Sequence, residues 1–301
     1  MQRLAGLMLI ALSLVLGVGA YGATAPQVQT LAVHGTHLAY IEQGQGPPLV
    51  LVHGTLSDYR NWAAQVEPFS AAHRVIAISL RYHYPNAATG DQSDYRPQVH
   101  AADVAALIQT LAVGPVHLVG HSYGGLVALL LARDHPGLVR SLVLEEPAFL
   151  SGLLTTTQDK AEAQPVLDGL DTSLKETVAQ LDAGNREGAI RTFLAAVIGP
   201  ETYERLPEAA HGALMDNIHT LKKTLTLAPE PFTCAEAGQL VVPTLLVGGA
   251  ASPRVFPLWM KALQACLRTV EHVTIPQASH AAHVDNAVDF NRAVLEFVAR
   301  H

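Results

Sequence analysis

The chain has 301 residues, 49% hydrophobic and 15% charged, and its 19 Lys and Arg against 26 Asp and Glu give a formal net charge of −7. That composition suits one folded domain with an ordinary core and room for a subdomain, and it is too apolar for a disordered chain. An acidic balance without a long basic run offers nothing to a phosphate backbone, so nucleic acid is not an expected partner.

Met1-Gln2-Arg3 supplies one positive charge, Leu4 to Val18 is apolar, and small residues continue through Ala25. This pattern predicts a signal peptide over residues 1–25, with export to a periplasm or the medium and no stable membrane association after cleavage. Ala20, Ala23 and Ala25 are the candidate cleavage positions, Pro26 disfavouring the last. An uncleaved anchor is the alternative, because Leu4 to Ala20 approaches the length of a bilayer span.

From Gln27 onward apolar strand-like runs alternate with helical patterns, which predicts a mostly parallel central sheet flanked by helices. Leu31 to Val33 and Leu38 to Ile41, turning at Gly35-Thr36, form an opening hairpin. Leu49 to Val52 and Val75 to Ile78 are buried-type strands with a helix between them around Asn61 to Phe69. Ala101 to Leu111 is helical and precedes the strand Val116 to Val119, the helix Leu126 to Ala132 and the strand Val139 to Leu144. Between Pro147 and Leu240 the strand signal gives way to helical periodicity, with Ile190, Phe193, Leu194 and Val197 on one apolar face. Residues 147–240 are therefore expected to form a helical cap inserted in a core of residues 26–146 and 241–301. Val241 to Val247 and Val270 to Ile275 return to strand, and Ala287 to Ala299 closes the chain as a helix.

Cys234 and Cys266 are the only cysteines. In an exported chain they can join as a disulfide, closing a loop of about thirty residues and adding roughly 3 to 4 kcal/mol in the chain-entropy model. The alternative is two small core residues. No base stands beside either in the pattern of a catalytic thiol.

Gly120-His121-Ser122-Tyr123-Gly124, between a strand and a helix, fits the G-x-S-x-G nucleophile elbow. Small residues two positions from the serine let strand and helix approach while the serine takes a strained turn. His53-Gly54-Thr55 directly follows a strand, and the backbone N–H groups of Thr55 and Tyr123 are the candidate oxyanion donors, each worth on the order of 3 kcal/mol. The His53 side chain is read as a brace for that loop. His280, on the loop after the last strand, is the candidate base; His283, three residues on, is expected to pack or hydrogen-bond nearby. The two histidines lack H-E-x-x-H and a third ligand, so no metal is expected from them.

The order HG-T, G-H-S-Y-G-G and late S-H, with a helical insertion between strands, resembles the α/β-hydrolase superfamily over nearly all of Gln27 to His301. The resemblance implies a serine hydrolase without cofactor. Relatives with this layout include carboxylesterases, lactonases, carbon-carbon bond hydrolases and cofactor-free perhydrolases; the epoxide hydrolases and dehalogenases of the family carry aspartate where this chain has Ser122. Members usually place the acid just after the strand that ends here at Val247, yet the chain reads Gly248-Gly249-Ala250-Ala251-Ser252-Pro253-Arg254. Some members place it one core strand earlier, and here that strand ends in Glu145-Glu146-Pro147.

Strand alternation turns only one of that pair toward the histidine, and Glu146 is preferred over Glu145. Surface salt bridges for both, with a catalytic dyad or with His280 oriented by water, are the competing possibility. Asp285 and Asp289 follow His280 in the chain and are weaker candidates. Asp103 is expected to be a solvated or capping group, and Arg81-Tyr82-His83-Tyr84-Pro85 a pocket-shaping or sheet-bracing loop.

The expected chemistry is acyl transfer from a small ester-like or lactone substrate through Ser122, with His280 as base and Glu146 orienting it. A carbon-carbon hydrolase or perhydrolase uses the same groups. A binding protein that keeps the fold without turnover is the alternative from another class.

Overall fold

The computed structural model describes residues 26–88, 92–227 and 230–301; the expected leader, residues 1–25, lies outside them. Strands β1 (Val28–Val33) and β2 (Thr36–Gln43) form the opening hairpin, with Gly35 at φ 76° in the turn where a left-handed backbone is needed. Then follow β3 (Pro48–Val52), α1 (Ala63–Ser70), β4 (Arg74–Ile78), α2 (Pro97–Thr110), β5 (Val116–His121), α3 (Tyr123–Asp134) and β6 (Val139–Glu145). Helices α4 (Thr157–Asp182), α5 (Arg186–Val197), α6 (Thr202–Arg205), α7 (Glu208–Thr226) and α8 (Cys234–Ala237) separate β6 from β7 (Thr244–Gly249). The chain ends with α9 (Val255–Cys266), β8 (Val270–Ile275), α10 (Ala282–Asp285) and α11 (Ala287–Val298).

The strands make one eight-stranded sheet in the order β1-β2-β4-β3-β5-β6-β7-β8. β1 pairs with β2, and β2 with β4, antiparallel; every later pair is parallel. The central strands β3 and β5 are buried on both faces, as continuous Val and Leu runs require. β7 begins at Thr244 rather than at Val241, because Pro243 cannot donate to a ladder.

Apolar side chains of α2, α3 and α9 cover one face of the sheet, and α1 and α11 cover the other. Ile190, Phe193 and Leu194 of α5 gather with Ile218 and Leu221 of α7 in a third cluster, which touches the sheet side through Leu56 on the loop after β3. The inserted helices thus have an apolar core of their own, seated over the carboxyl ends of the strands. Cys234 and Cys266 are joined as a disulfide that fastens α8 to the end of α9. Among the described residues no helix is long and apolar enough to cross a membrane.

Candidate active site

The candidate groups stand at the carboxyl ends of β3, β5, β6, β7 and β8, along one edge of the sheet. At the end of β5, Ser122 sits at φ 53°, ψ −117°, a left-handed conformation costly for a residue with a Cβ. The turn is this sharp because α3 starts at once and runs back along the sheet. A Cβ on Gly124 would stand 2.3 Å from the His53 carbonyl oxygen, and one on Gly120 would stand 2.5 Å from the Gly124 oxygen, so both glycines are required by contact. The Ser122 N–H donates to the Glu145 carbonyl at 2.9 Å, and the Ala148 N–H donates to the Ser122 carbonyl at 3.1 Å, stitching the elbow to the end of β6.

Strand alternation sends the two glutamates at that end to different histidines. Glu146, itself at φ 41°, accepts a hydrogen bond from His280 Nδ1 on Oε2 at 2.8 Å and one from the Gly249 N–H on Oε1 at 2.9 Å. A Cβ on Gly248 would lie 3.3 Å from that Oε1, and one on Gly249 would lie 2.2 Å from the Ser279 carbonyl oxygen. The bare backbone at the end of β7 therefore makes room for a carboxylate that arrives from β6. Glu145 instead accepts from the His283 N–H at 3.0 Å and faces His283 Nδ1 at 2.8 Å. Desolvation pushes its carboxyl up to about 7, and the same burial holds the His283 imidazole down at about 3.

His280 is almost fully buried beneath Phe256, whose ring stacks on the imidazole with centroids 3.7 Å apart. Its loop is pinned to the elbow by His121, whose Nε2 donates to the His280 carbonyl at 2.9 Å. It is tied to the inserted helices by Ser279 Oγ, which donates to the Ile198 carbonyl at 2.5 Å. Of the three predicted side chains, Glu146 and His280 are bonded directly, while Ser122 is brought to His280 through its neighbour His121.

The candidate oxyanion amides flank the same serine. Thr55 follows Gly54, where a Cβ would come within 3.2 Å of Ser122 Cβ, and Leu56 at φ 60° turns the loop away. The Tyr123 N–H opens α3 and has no carbonyl one turn back to bond. The Tyr123 ring is fully buried, with its hydroxyl 3.0 Å from His100 Nδ1, so it packs rather than lining an open pocket. His53 braces its loop: Nδ1 donates to the Gly54 carbonyl at 2.8 Å and Nε2 accepts from the Leu80 N–H at 3.0 Å, and burial lowers the ring to about 3.

The structure corrects one expectation away from the serine. Asp103 is neither solvated nor a cap: it is buried and accepts from Arg81 Nε and Nη2, both at 2.8 Å. Residues 81–85 brace the molecule through that pair and through the Tyr84 N–H, which donates to Asn217 of α7 at 2.8 Å. Asp285 accepts from the Ser279 N–H at 2.8 Å and Asp289 from Arg292 at 2.6 Å, and neither faces His280 in these bonds. Phe256, Gly248 and the Glu145 to His283 contact escaped the sequence because each gains meaning only through a neighbour remote in the chain. The two adjacent glutamates on an alternating strand were the only sign of the last.

A family model described as alpha/beta hydrolase fold matches residues 47–287. Over 124 residues, 41% of this chain and 44% of the relative, the sequence is 35% identical to (E)-2-((N-methylformamido)methylene)succinate hydrolase of Acinetobacter baylyi. Over 112 residues, 36% of this chain and 31% of the relative, it is 30% identical to epoxide hydrolase 4 of Mus musculus. The chain thus matches less than half the length of these curated relatives. The enol-lactonase of Burkholderia xenovorans superposes with a TM-score of 0.73 at 20% identity over 90% of this chain and all of its own, a likeness of fold.

Proposed function

Because the chain belongs to the alpha/beta hydrolase family, we propose that it is a serine hydrolase cleaving small carboxylic esters or lactones through an acyl-enzyme on Ser122. One observation carries this: the His280 imidazole is held at 2.8 Å by a buried carboxylate, Glu146, at the sheet edge that also bears the elbow serine. With Nδ1–H donating to Glu146, the neutral imidazole keeps a lone pair on Nε2, the arrangement needed to take a proton from a hydroxyl. Serine and base stand loosely in many ligand-free sites and tighten with substrate.

In the proposed reaction Ser122 Oγ attacks the carbonyl carbon as its proton passes to His280. The tetrahedral oxygen is held by the Thr55 and Tyr123 amides. His280 then gives the proton to the leaving alkoxide, or to the ring oxygen of a lactone, and afterwards draws one from the water that releases the acid. Glu146 keeps the imidazolium in place through its hydrogen bond to Nδ1. Serine at the elbow separates this chemistry from the aspartate-nucleophile mechanism. The disulfide supports export, since such bonds persist in oxidising compartments, and the leader-like residues 1–25 agree with it.

The test is hydrolysis of nitrophenyl esters of increasing chain length and of a set of lactones by the wild type and by Ser122→Ala. Turnover that disappears in Ser122→Ala is expected. A folded wild type inert toward every ester and lactone, or a Ser122→Ala variant as active as the wild type, would overturn it.

A further inference from the structure

Directly behind the elbow the protein interior holds a cluster that the proposed hydrolysis does not use. His121 precedes Ser122, Glu145 precedes Glu146, and His283 lies three residues after His280; one donor atom from each lies within 4.8 Å of the other two. All three side chains are buried, and His121 Nδ1, Glu145 Oε2 and His283 Nδ1 all lack hydrogen-bond partners. Buried polar atoms are nearly always satisfied, so three orphans on the residues of one cluster need an explanation.

Their protonation follows from what lies on their far sides. His121 Nε2 faces the His280 carbonyl, which only accepts, so Nε2 carries the hydrogen and Nδ1 of the neutral ring presents a lone pair. Glu145 Oε1 is engaged by the His283 N–H, leaving Oε2 as an open acceptor. His283 Nε2 is 2.7 Å from Asn61 Nδ2, and a half-turn of that amide exchanges its nitrogen for its oxygen at the same place. With the amide oxygen toward the ring, Nδ1 becomes a third lone pair. The 2.8 Å approach of His283 Nδ1 to Glu145 Oε2 lacks the alignment of a hydrogen bond. A set of inward lone pairs calls for a positive centre.

We propose that His121, Glu145 and His283 bind a divalent cation of the zinc class, with a solvent molecule completing four-coordination. Two imidazoles and a carboxylate are a common donor set for that ion. Ligands at ~2.1 Å in a tetrahedron stand ~3.4 Å apart, a spacing that small side-chain shifts reach from separations of at most 4.8 Å. The far nitrogens are held by a backbone carbonyl and an amide, the outer contacts that orient metal-bound imidazoles. Gly54 contributes by what it lacks, because a Cβ there would stand 2.8 Å from His121 Nδ1 and close off that nitrogen. The sequence carries no metal motif since the ligands come from three separate elements. A bound ion would clamp together the segments bearing Ser122, Glu146 and His280 without touching the reacting atoms.

The experiment uses the full-length protein stripped with a chelator, shown to be folded by circular dichroism, and titrated with Zn2+ and separately with Co2+. Expected are one zinc retained per chain through gel filtration, a Co2+ adduct with visible ligand-field bands of four-coordinate geometry, and a higher Tm with metal than without. Glu145→Gln and His283→Gln, each checked for folding, should lose the retained ion and the Tm shift. A folded wild type that retains neither ion and shows no shift would overturn the proposal whatever the variants do. So would retention undiminished in both folded variants, which would place the ion elsewhere.

Discussion

At the scale of single residues, the place of the proposed acid is decided by atoms that are missing. Glycine at 248 and 249 leaves the end of β7 bare, and the Glu146 carboxylate fills that space, one oxygen on the Gly249 N–H and the other on His280. Gly248→Ala is the gentlest intrusion available, since its Cβ would sit 3.3 Å from Oε1 and the carboxylate would have to give by a few tenths of an ångström. The expected result is kcat lower by about tenfold with KM and Tm nearly unchanged, because small misplacements of a catalytic group act on the barrier more than on binding. Steady-state kinetics of the folded variant checks this. Unchanged kcat would mean that the carboxylate position is not critical.

At the scale of elements, the disulfide between α8 and α9 ties the end of the inserted helices to the helix that carries Phe256. Its loop spans a sequence separation of 32, so Cys234→Ser is expected to cost about 3 to 4 kcal/mol of stability in the chain-entropy model. Urea unfolding measures this, and a loss below about 1 kcal/mol would show that the reduced chain is already constrained. Much of this level was legible in the sequence. The hairpin, the elbow strand and helix, β8 and the helical stretch after β6 follow from apolar period and turn residues, because those signals are local. The preference for Glu146 over Glu145 follows from the period of two along a strand, and the two side chains go to His280 and His283 respectively. The start of β7, the burial of Asp103 under Arg81 and the stacking of Phe256 on His280 depend on distant partners, which periodicity does not encode.

At the scale of the whole molecule, polar groups run unusually deep. His53, His83 and His100 are fully buried, linked by ring contacts and by the hydroxyls of Tyr95 and Tyr123 between the loop after β3 and helix α7. Burial lowers His53 to about 3 and depresses His83 and His100 well below the ordinary 6.5. The unfolded chain takes up these protons as pH falls through 6.5, and the folded state does so only much lower. Stability is therefore full above 6.5 and drains from there downward, reaching about 3 for His53. For His53 this is expected to cost about 2 kcal/mol between pH 7 and pH 5. Urea midpoints at the two values test this, and a flat profile would contradict it. The same deep packing holds Glu146, His280 and the Ser122 elbow at one sheet edge, and the proposed chemistry needs that convergence. The rate at which a fluorophosphonate phosphonylates the protein tests it most directly, with the labelled residue identified by peptide mass and the wild type compared with folded Glu146→Gln. Labelling at Ser122 is expected, with a rate lower by about 10³-fold in Glu146→Gln; labelling at another residue, or equal rates in the two proteins, would mean that these groups do not act together.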